Sequence, residues 1–245
     1  MENNFLNETF VAPNSLIDEE KGKKKNGKPS LPYKAPFAVV EAYKNIRIRL
    51  MSMLEKTPDK KIVAITSPNA GAGKSTTSVN LAITLSQIGK KVMLIDGDIR
   101  RATVDKKLRI ESGLGCSDVL AGNCKLNEAL VNFNPNLDVL TSGSVVNNPS
   151  DLVGSVEFDN LLNDLRETYD YIIIDTPPLN LVSDTLAISK KCDGVILVAR
   201  VGLSTYAELN SALDSLKILD ICVLGAIVNG VEDIKKKYKS YYGYK

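Results

Sequence analysis

Residues 67–76 read SPNAGAGKST, a run whose types and spacing suit one task, holding a polyphosphate. Gly71 and Gly73 free the backbone to fold around an anion and present successive N–H groups to it. Lys74 reaches the β- and γ-phosphates, Ser75 offers its hydroxyl to Mg²⁺, and the following helix turns its positive end to the anion. Asn69, Ala70, Ala72 and Thr76 complete the predicted ATP-contacting loop. The full G-x-x-x-x-G-K-[ST] pattern asks for glycine at position 68, where this chain has Pro68. That changes the way into the loop and leaves the GAGKS half intact. The strand-like run before it and the helix-like run after it set it apart from a chance glycine-rich turn.

Two further runs end in carboxylates. Residues 92–100 read VMLIDGDIR, so an apolar strand delivers Asp96 and Asp98 to its end. The side-chain period of two puts both on the same side. Like charges so close repel unless a cation or a shared proton compensates, and Mg²⁺ plus a proton-accepting role meets that need. Residues 172–178 read IIIDTPP, an apolar strand ending in Asp175, placed to hold Mg²⁺ directly or through water. Alone this third run is weak; its value lies in following the other two in order.

The C-terminal stretch EDIKKKYKSYYGYK (232–245) carries Tyr238, Tyr241, Tyr242 and Tyr244, four of the nine tyrosines of the chain. Without a phosphoryl-transfer site the cluster reads as a basic–aromatic membrane patch or a stacking surface for single-stranded nucleic acid. Beside one, it reads as a set of phosphoacceptors on a tether. About 15 residues beyond Asn229, at roughly 3.3 Å each, extend on the order of 50 Å, enough to reach a neighbouring subunit.

The elements that must position these residues alternate. KIVAIT (61–66), KVMLID (91–96), LDVLT (137–141), YDYIIID (169–175), GVILVAR (194–200) and CVLGAIVN (222–229) are short apolar runs rich in β-branched residues. Helix-like stretches separate them at 75–88, 117–131, 155–168, 184–191 and 205–219. Such alternation predicts an α/β, P-loop NTPase-like, doubly wound and mainly parallel sheet with helices on both faces. Upstream, the spacing of Val39, Tyr43, Ile46, Leu50 and Met53 predicts a helix over residues 36–56. Residues 1–35 are polar, contain Pro29 and Pro32, and are expected to be flexible. The expected organisation is therefore a segment at 1–35, a domain at 36–231 and a tyrosine-rich tail at 232–245.

Length and composition agree with one such domain: 245 residues, 44 % hydrophobic and 24 % charged. The net charge of +2 hides lysine-rich runs at Lys21–Lys28 and Lys235–Lys239, which read as solvated tails or as contacts to an anionic surface. With no histidine in the chain, Ser-His-Asp and Cys-His catalysis are excluded. Cys116, Cys124, Cys192 and Cys222 have no CxxC spacing and read as free thiols of a reducing cytoplasm. The start of the chain has no signal-peptide pattern, and no apolar run approaches the roughly 18 residues of a membrane span.

Together these motifs resemble the bacterial tyrosine kinases of capsule and exopolysaccharide synthesis, specifically the cytoplasmic component of Gram-positive bacteria, over about residues 36–245. The resemblance implies ATP and Mg²⁺ as ligands, with Lys74 and Ser75 on phosphate and metal and Asp98 and Asp175 organising Mg²⁺. It makes Asp96 the base for an incoming tyrosine hydroxyl and Asn229 an adenine contact. The family carries an E-x-x-R-x-x-R helix motif that closes a ring of subunits; here Glu41, Lys44 and Arg47 occupy it, with Lys44 for the middle arginine. Lysine keeps the charge and loses the bidentate fork. Ordinary exposed i,i+3 ion pairing is the alternative reading of these residues. Also implied are a separate membrane-anchored activator of the polysaccharide co-polymerase type, protein tyrosine substrates, cytoplasmic residence at the inner face of the membrane, and no nucleic-acid partner. Septum-site and partition ATPases share the motifs but carry a lysine early in the loop, where this chain has Asn69. A scaffold that senses ATP without catalysis is a third possibility.

Overall fold

The computed structural model describes residues 9–12, 37–54, 59 and 61–231. Among the described residues, eight strands follow one another as β1 (Thr9–Ala12), β2 (Ile62–Thr66), β3 (Val92–Asp96), β4 (Leu130–Asn134), β5 (Leu137–Leu140), β6 (Tyr171–Asp175), β7 (Gly194–Arg200) and β8 (Val223–Asn229). They form one sheet in the order β1-β8-β7-β2-β6-β3-β5-β4, parallel throughout except for the β4–β5 pair at one edge. The helices are α1 (Phe37–Leu54), α2 (Lys74–Ser86), α3 (Val104–Leu108), α4 (Cys116–Leu120), α5 (Leu126–Ala129), α6 (Pro149–Gly154), α7 (Val156–Thr168), α8 (Asp184–Ser189) and α9 (Tyr206–Ile218).

Alternate strand residues serve opposite faces. Val63, Ile65, Leu94 and Ile173 meet Tyr43, Ile46 and Leu50 of α1 and Val79, Leu81 and Leu85 of α2. Ile62, Met93, Ile95 and Ile172 turn the other way, onto Phe158, Leu161, Leu162 and Leu165 of α7. Ala64, Val195 and Leu197 pack on Ala212 and Leu216 of α9. Both faces are covered, which is why β2, β3 and β6 are apolar without alternation and buried at every position. The predicted doubly wound sheet is the observed one.

Two parts of the chain depart from the sequence reading. Thr9–Ala12 lie inside the segment expected to be flexible, yet they pair in parallel with Ala226–Asn229 as the edge strand. A short β-favouring run, TFVA, can use the unpaired donors and acceptors that β8 otherwise leaves at the edge. The helix expected over 117–131 is broken: α4 stops at Leu120, Gly122 takes a left-handed φ of 73°, and residues 130–134 form β4. LVNFN supplies β-branched and aromatic residues, and pairing with β5 outweighs the helical pattern.

Candidate functional site

The P-loop follows β2, Asp96 ends β3 and Asp175 ends β6, and β6 lies between the other two strands in the sheet. Parallel pairing brings all three tips to one edge; Asp96 and Asp175 are register partners, as are Ile65 and Asp175. Gly97 permits the close approach. Its N–H donates to the Asp175 carbonyl at 2.8 Å, and a Cβ on it would stand 2.9 Å from that oxygen.

Lys74 is the hub. Its Nζ lies 3.0 Å from Asp98 Oδ2, 3.8 Å from Asp175 Oδ2 and 3.3 Å from Ser75 Oγ. Burial alone would push the ammonium down, but the carboxylates of Asp175 and Asp98 outweigh it and hold it above the ordinary lysine range. Burial pushes the Asp175 carboxyl up, against Lys74 and the hydroxyls of Ser75 and Ser78. Ser78 Oγ sits 3.0 Å from Asp175 Oδ1, whereas the buried Asp175 Oδ2 lacks a partner within hydrogen-bond distance among the described residues.

Asp96 is fully buried and differently employed. It accepts from the backbone N–H groups of Asp98 (3.2 Å), Thr103 and Val104 (both 3.1 Å). Burial, and then the charge of Asp175, nevertheless lift its carboxyl to about 7. A carboxyl titrating there can hold or release a proton near neutral pH.

This donor set suits Mg²⁺ bound to a nucleotide. Asp98, Asp175 and the Ser75 hydroxyl stand around Lys74, and Asp175 keeps one oxygen free of hydrogen bonds among the described residues. No cage of three or more acidic, cysteine or histidine side chains exists among the described residues. Mg²⁺ needs none, since it keeps waters and takes phosphate oxygens beside one or two carboxylates.

The loop has the conformation that phosphate binding requires: Gly71 and Gly73 adopt φ of 84° and 97°, and α2 begins at Lys74. Ala72 is buried and Ala70 exposed, with Asn69 and Thr76 between these extremes. Asn229, expected at the adenine, directs its Nδ2 to the Ala72 carbonyl at 2.8 Å. Pro68, standing where the pattern has glycine, offers its carbonyl to the Asn180 N–H at 3.2 Å, so the loop after Pro177 and Pro178 abuts it.

Glu41, Lys44 and Arg47 lie on α1. Lys44 pairs with Glu41 at 2.8 Å, while Arg47 Nη1 donates to the Thr84 carbonyl of α2 at 2.8 Å. Arg47 therefore ties α1 to α2 within the chain. Tyr238, Tyr241, Tyr242 and Tyr244 lie outside the described residues.

Ser78 and Asp184 are among the contributors that the sequence does not single out. Ser78 holds Asp175 from one turn beyond Lys74, a spacing legible only once a helix is assumed. Asp184 takes Arg100 in a two-point pair, Nε at 2.7 Å and Nη2 at 3.1 Å, and also contacts Ser150. Burial pushes the Asp184 carboxyl up, but Arg100 and Ser150 outweigh that and hold it below the usual range. The pair ties the loop after Asp98 to α8, and no local signal marks it.

Residues 60–217 match a family model described as an AAA domain. Tyrosine-protein kinase CpsD of Streptococcus pneumoniae serotype 4 is 36 % identical over 192 residues, which cover 77 % of this chain and 85 % of that protein. The chain belongs to the bacterial tyrosine kinase family. Among solved structures, the kinase domain of the Escherichia coli tyrosine kinase ETK superposes with a TM-score of 0.82 at 31 % identity, covering 91 % of this chain and 89 % of that one. The septum site-determining protein MinD of Pyrococcus horikoshii, complexed with Mg-ADP, is also similar, at a TM-score of 0.59 and 27 % identity, covering 69 % of this chain and 70 % of that one. The partition-type ATPases thus share the fold, and the bacterial tyrosine kinases share more of the chain.

Proposed function

We propose that this bacterial tyrosine kinase transfers the γ-phosphoryl group of ATP to the tyrosine cluster Tyr238, Tyr241, Tyr242 and Tyr244 of an adjacent subunit. It works with a membrane-anchored activator of the co-polymerase type and regulates capsular or exopolysaccharide synthesis at the inner face of the cell membrane. The observation that carries this reading is the convergence of Lys74, Asp98 and Asp175 within 3.0–3.8 Å, with Asp96 behind them. No helix among the described residues is long and apolar enough to cross a membrane.

Lys74 leaves the carboxylates to meet the β- and γ-phosphates, and the amides of the P-loop hold the phosphate chain in line. Ser75, Asp98 and Asp175 would hold Mg²⁺, which would supply charge neutralisation at the phosphates. Asp96 accepts the proton of the tyrosine hydroxyl as the oxygen takes the phosphoryl group and ADP leaves. Each phosphate adds about −1.5 to −2 charges, so four of them reverse the sign of a tail bearing Lys235, Lys236, Lys237, Lys239 and Lys245. A tail held on a neighbour by charge is released by its own modification. Self-association through Glu41, Lys44 and Arg47 would bring neighbouring tails into reach.

Mass-spectrometric mapping of phosphotyrosine after incubation with Mg-ATP tests this, with Lys74→Met alongside and with or without the cytoplasmic tail of a candidate membrane partner. Phosphate on Tyr238–Tyr244 in the wild type only is the expected result. Nucleotide binding and hydrolysis without tyrosine modification under any condition would refute it in favour of an ATPase switch or a sensing scaffold.

A further inference from the structure

Two residues at the tips of neighbouring strands reach the same stretch of the P-loop. Arg200 ends β7, Asn229 ends β8, and they are register partners. The N–H of Val201 donates to the Asn229 carbonyl at 3.0 Å, fixing the tips to each other. Arg200 Nη1 donates to the Gly71 carbonyl at 3.3 Å, and Asn229 Nδ2 donates to the Ala72 carbonyl at 2.8 Å. The two carbonyls are consecutive.

That succession has a geometric result. Across a planar trans peptide, C=O and the following N–H point in opposite directions. Holding the Gly71 carbonyl therefore fixes the Ala72 N–H, and holding the Ala72 carbonyl fixes the Gly73 N–H. Glycine gives these peptides little resistance to rotation. A rotated one would turn a carbonyl oxygen, instead of an amide, toward a phosphate. Gly73 and Asn229 also interlock: a Cβ at position 73 would stand 2.4 Å from Asn229 Nδ2.

We propose that Arg200 and Asn229 are positioning residues for nucleotide binding, a two-pronged brace that sets the Ala72 and Gly73 amides toward the phosphate chain before the nucleotide arrives. The inference rests on residues 67–76 being the nucleotide loop and is independent of which group receives the phosphoryl. Arg200 contributes through its donor to Gly71, and Asn229 acts on the loop backbone, beyond any contact with the base.

The test combines two measurements on the full chain and its Arg200→Ala, Arg200→Lys and Asn229→Ala variants. Calorimetry gives the affinity for Mg-ADP, and residue-resolved amide exchange of the nucleotide-free protein reads Ala72 and Gly73. Arg200→Ala is expected to weaken Mg-ADP about fivefold to tenfold and to speed exchange chiefly at Ala72; Asn229→Ala does the same chiefly at Gly73. Arg200→Lys, which keeps a donor, restores most of the affinity, and the unliganded melting temperature stays within about 1 °C of wild type. Affinity within about twofold of wild type in both alanine variants overturns the brace. So does weakened affinity with unchanged exchange at both amides, which would make the two side chains direct ligand contacts. Mg-ADP binding without phosphotyrosine refutes the kinase reading and leaves this inference standing.

Discussion

Burial of Asp96 should cost stability as the pH rises, and Asp96→Asn should expose that cost. Its folded carboxyl titrates at about 7 against an ordinary 3.8, lifted by burial and by Asp175. A raised acid favours folding fully only below the unfolded value, and that contribution is lost as pH rises through the folded one. At about 1.36 kcal/mol per unit, the penalty in the wild type is about 2 kcal/mol at pH 5 and about 4 kcal/mol at pH 8. Asparagine does not ionise, so its penalty is constant: it turns an NH₂ toward one of the three backbone N–H groups that Asp96 satisfies, at about 1–2 kcal/mol. The variant should gain on the wild type by about 2–3 kcal/mol between pH 5 and pH 8, or about 5–10 °C in melting temperature for a chain of this size. Calorimetric melting of both proteins across that range, without nucleotide or Mg²⁺, is the assay; a bound cation would favour the carboxylate and hide the effect. A difference in melting temperature that does not change with pH would refute the titration of Asp96 in this window. The same variant should lose turnover far more than ATP affinity, and equal losses would remove Asp96 as the proton acceptor.

Other expectations follow from single contacts. Gly73→Ala combines a φ of 97° with a Cβ 2.4 Å from Asn229 Nδ2, and should weaken Mg-ADP by at least about tenfold in calorimetry. Phe158→Ala empties a fully buried site on the α7 face of the sheet and should cost about 3–5 kcal/mol in urea unfolding, with nucleotide affinity measured in buffer unchanged. Asp193 accepts from the N–H groups of Lys61 and Ile62 at 2.7 and 2.8 Å and takes a two-point pair from Arg166, so Asp193→Ala should cost about 2–4 kcal/mol by the same measurement. A loss below about 1 kcal/mol would mean that water replaces all of those contacts.

Much of the site was legible because its signals are local. SPNAGAGKST encodes its own left-handed glycines and its own helix start, and neither needs the rest of the chain. The apolar runs ending at Asp96 and Asp175 announce strands covered on both faces, and the alternation of strands and helices announces a doubly wound sheet. Tertiary structure decided what lies beside what. The sequence does not show that β6 inserts between β2 and β3, yet that insertion puts Asp175 against Lys74 and beside Asp96. Strand order follows from how helices pack on the two faces, a sum over the whole core with no marker at any one residue. The same holds for Arg200, Asn229, Ser78 and Asp184, each an ordinary polar residue whose partner is fixed only by register or by the packing of another element. Thr9–Ala12 and Leu130–Asn134 make the complementary case: their strand character is weak alone, and a neighbouring strand's unpaired backbone groups decide it. Residue type and spacing settled which chemistry the chain can perform, while strand pairing settled which side chains share the charge of Lys74, because a parallel sheet joins residues far apart in sequence.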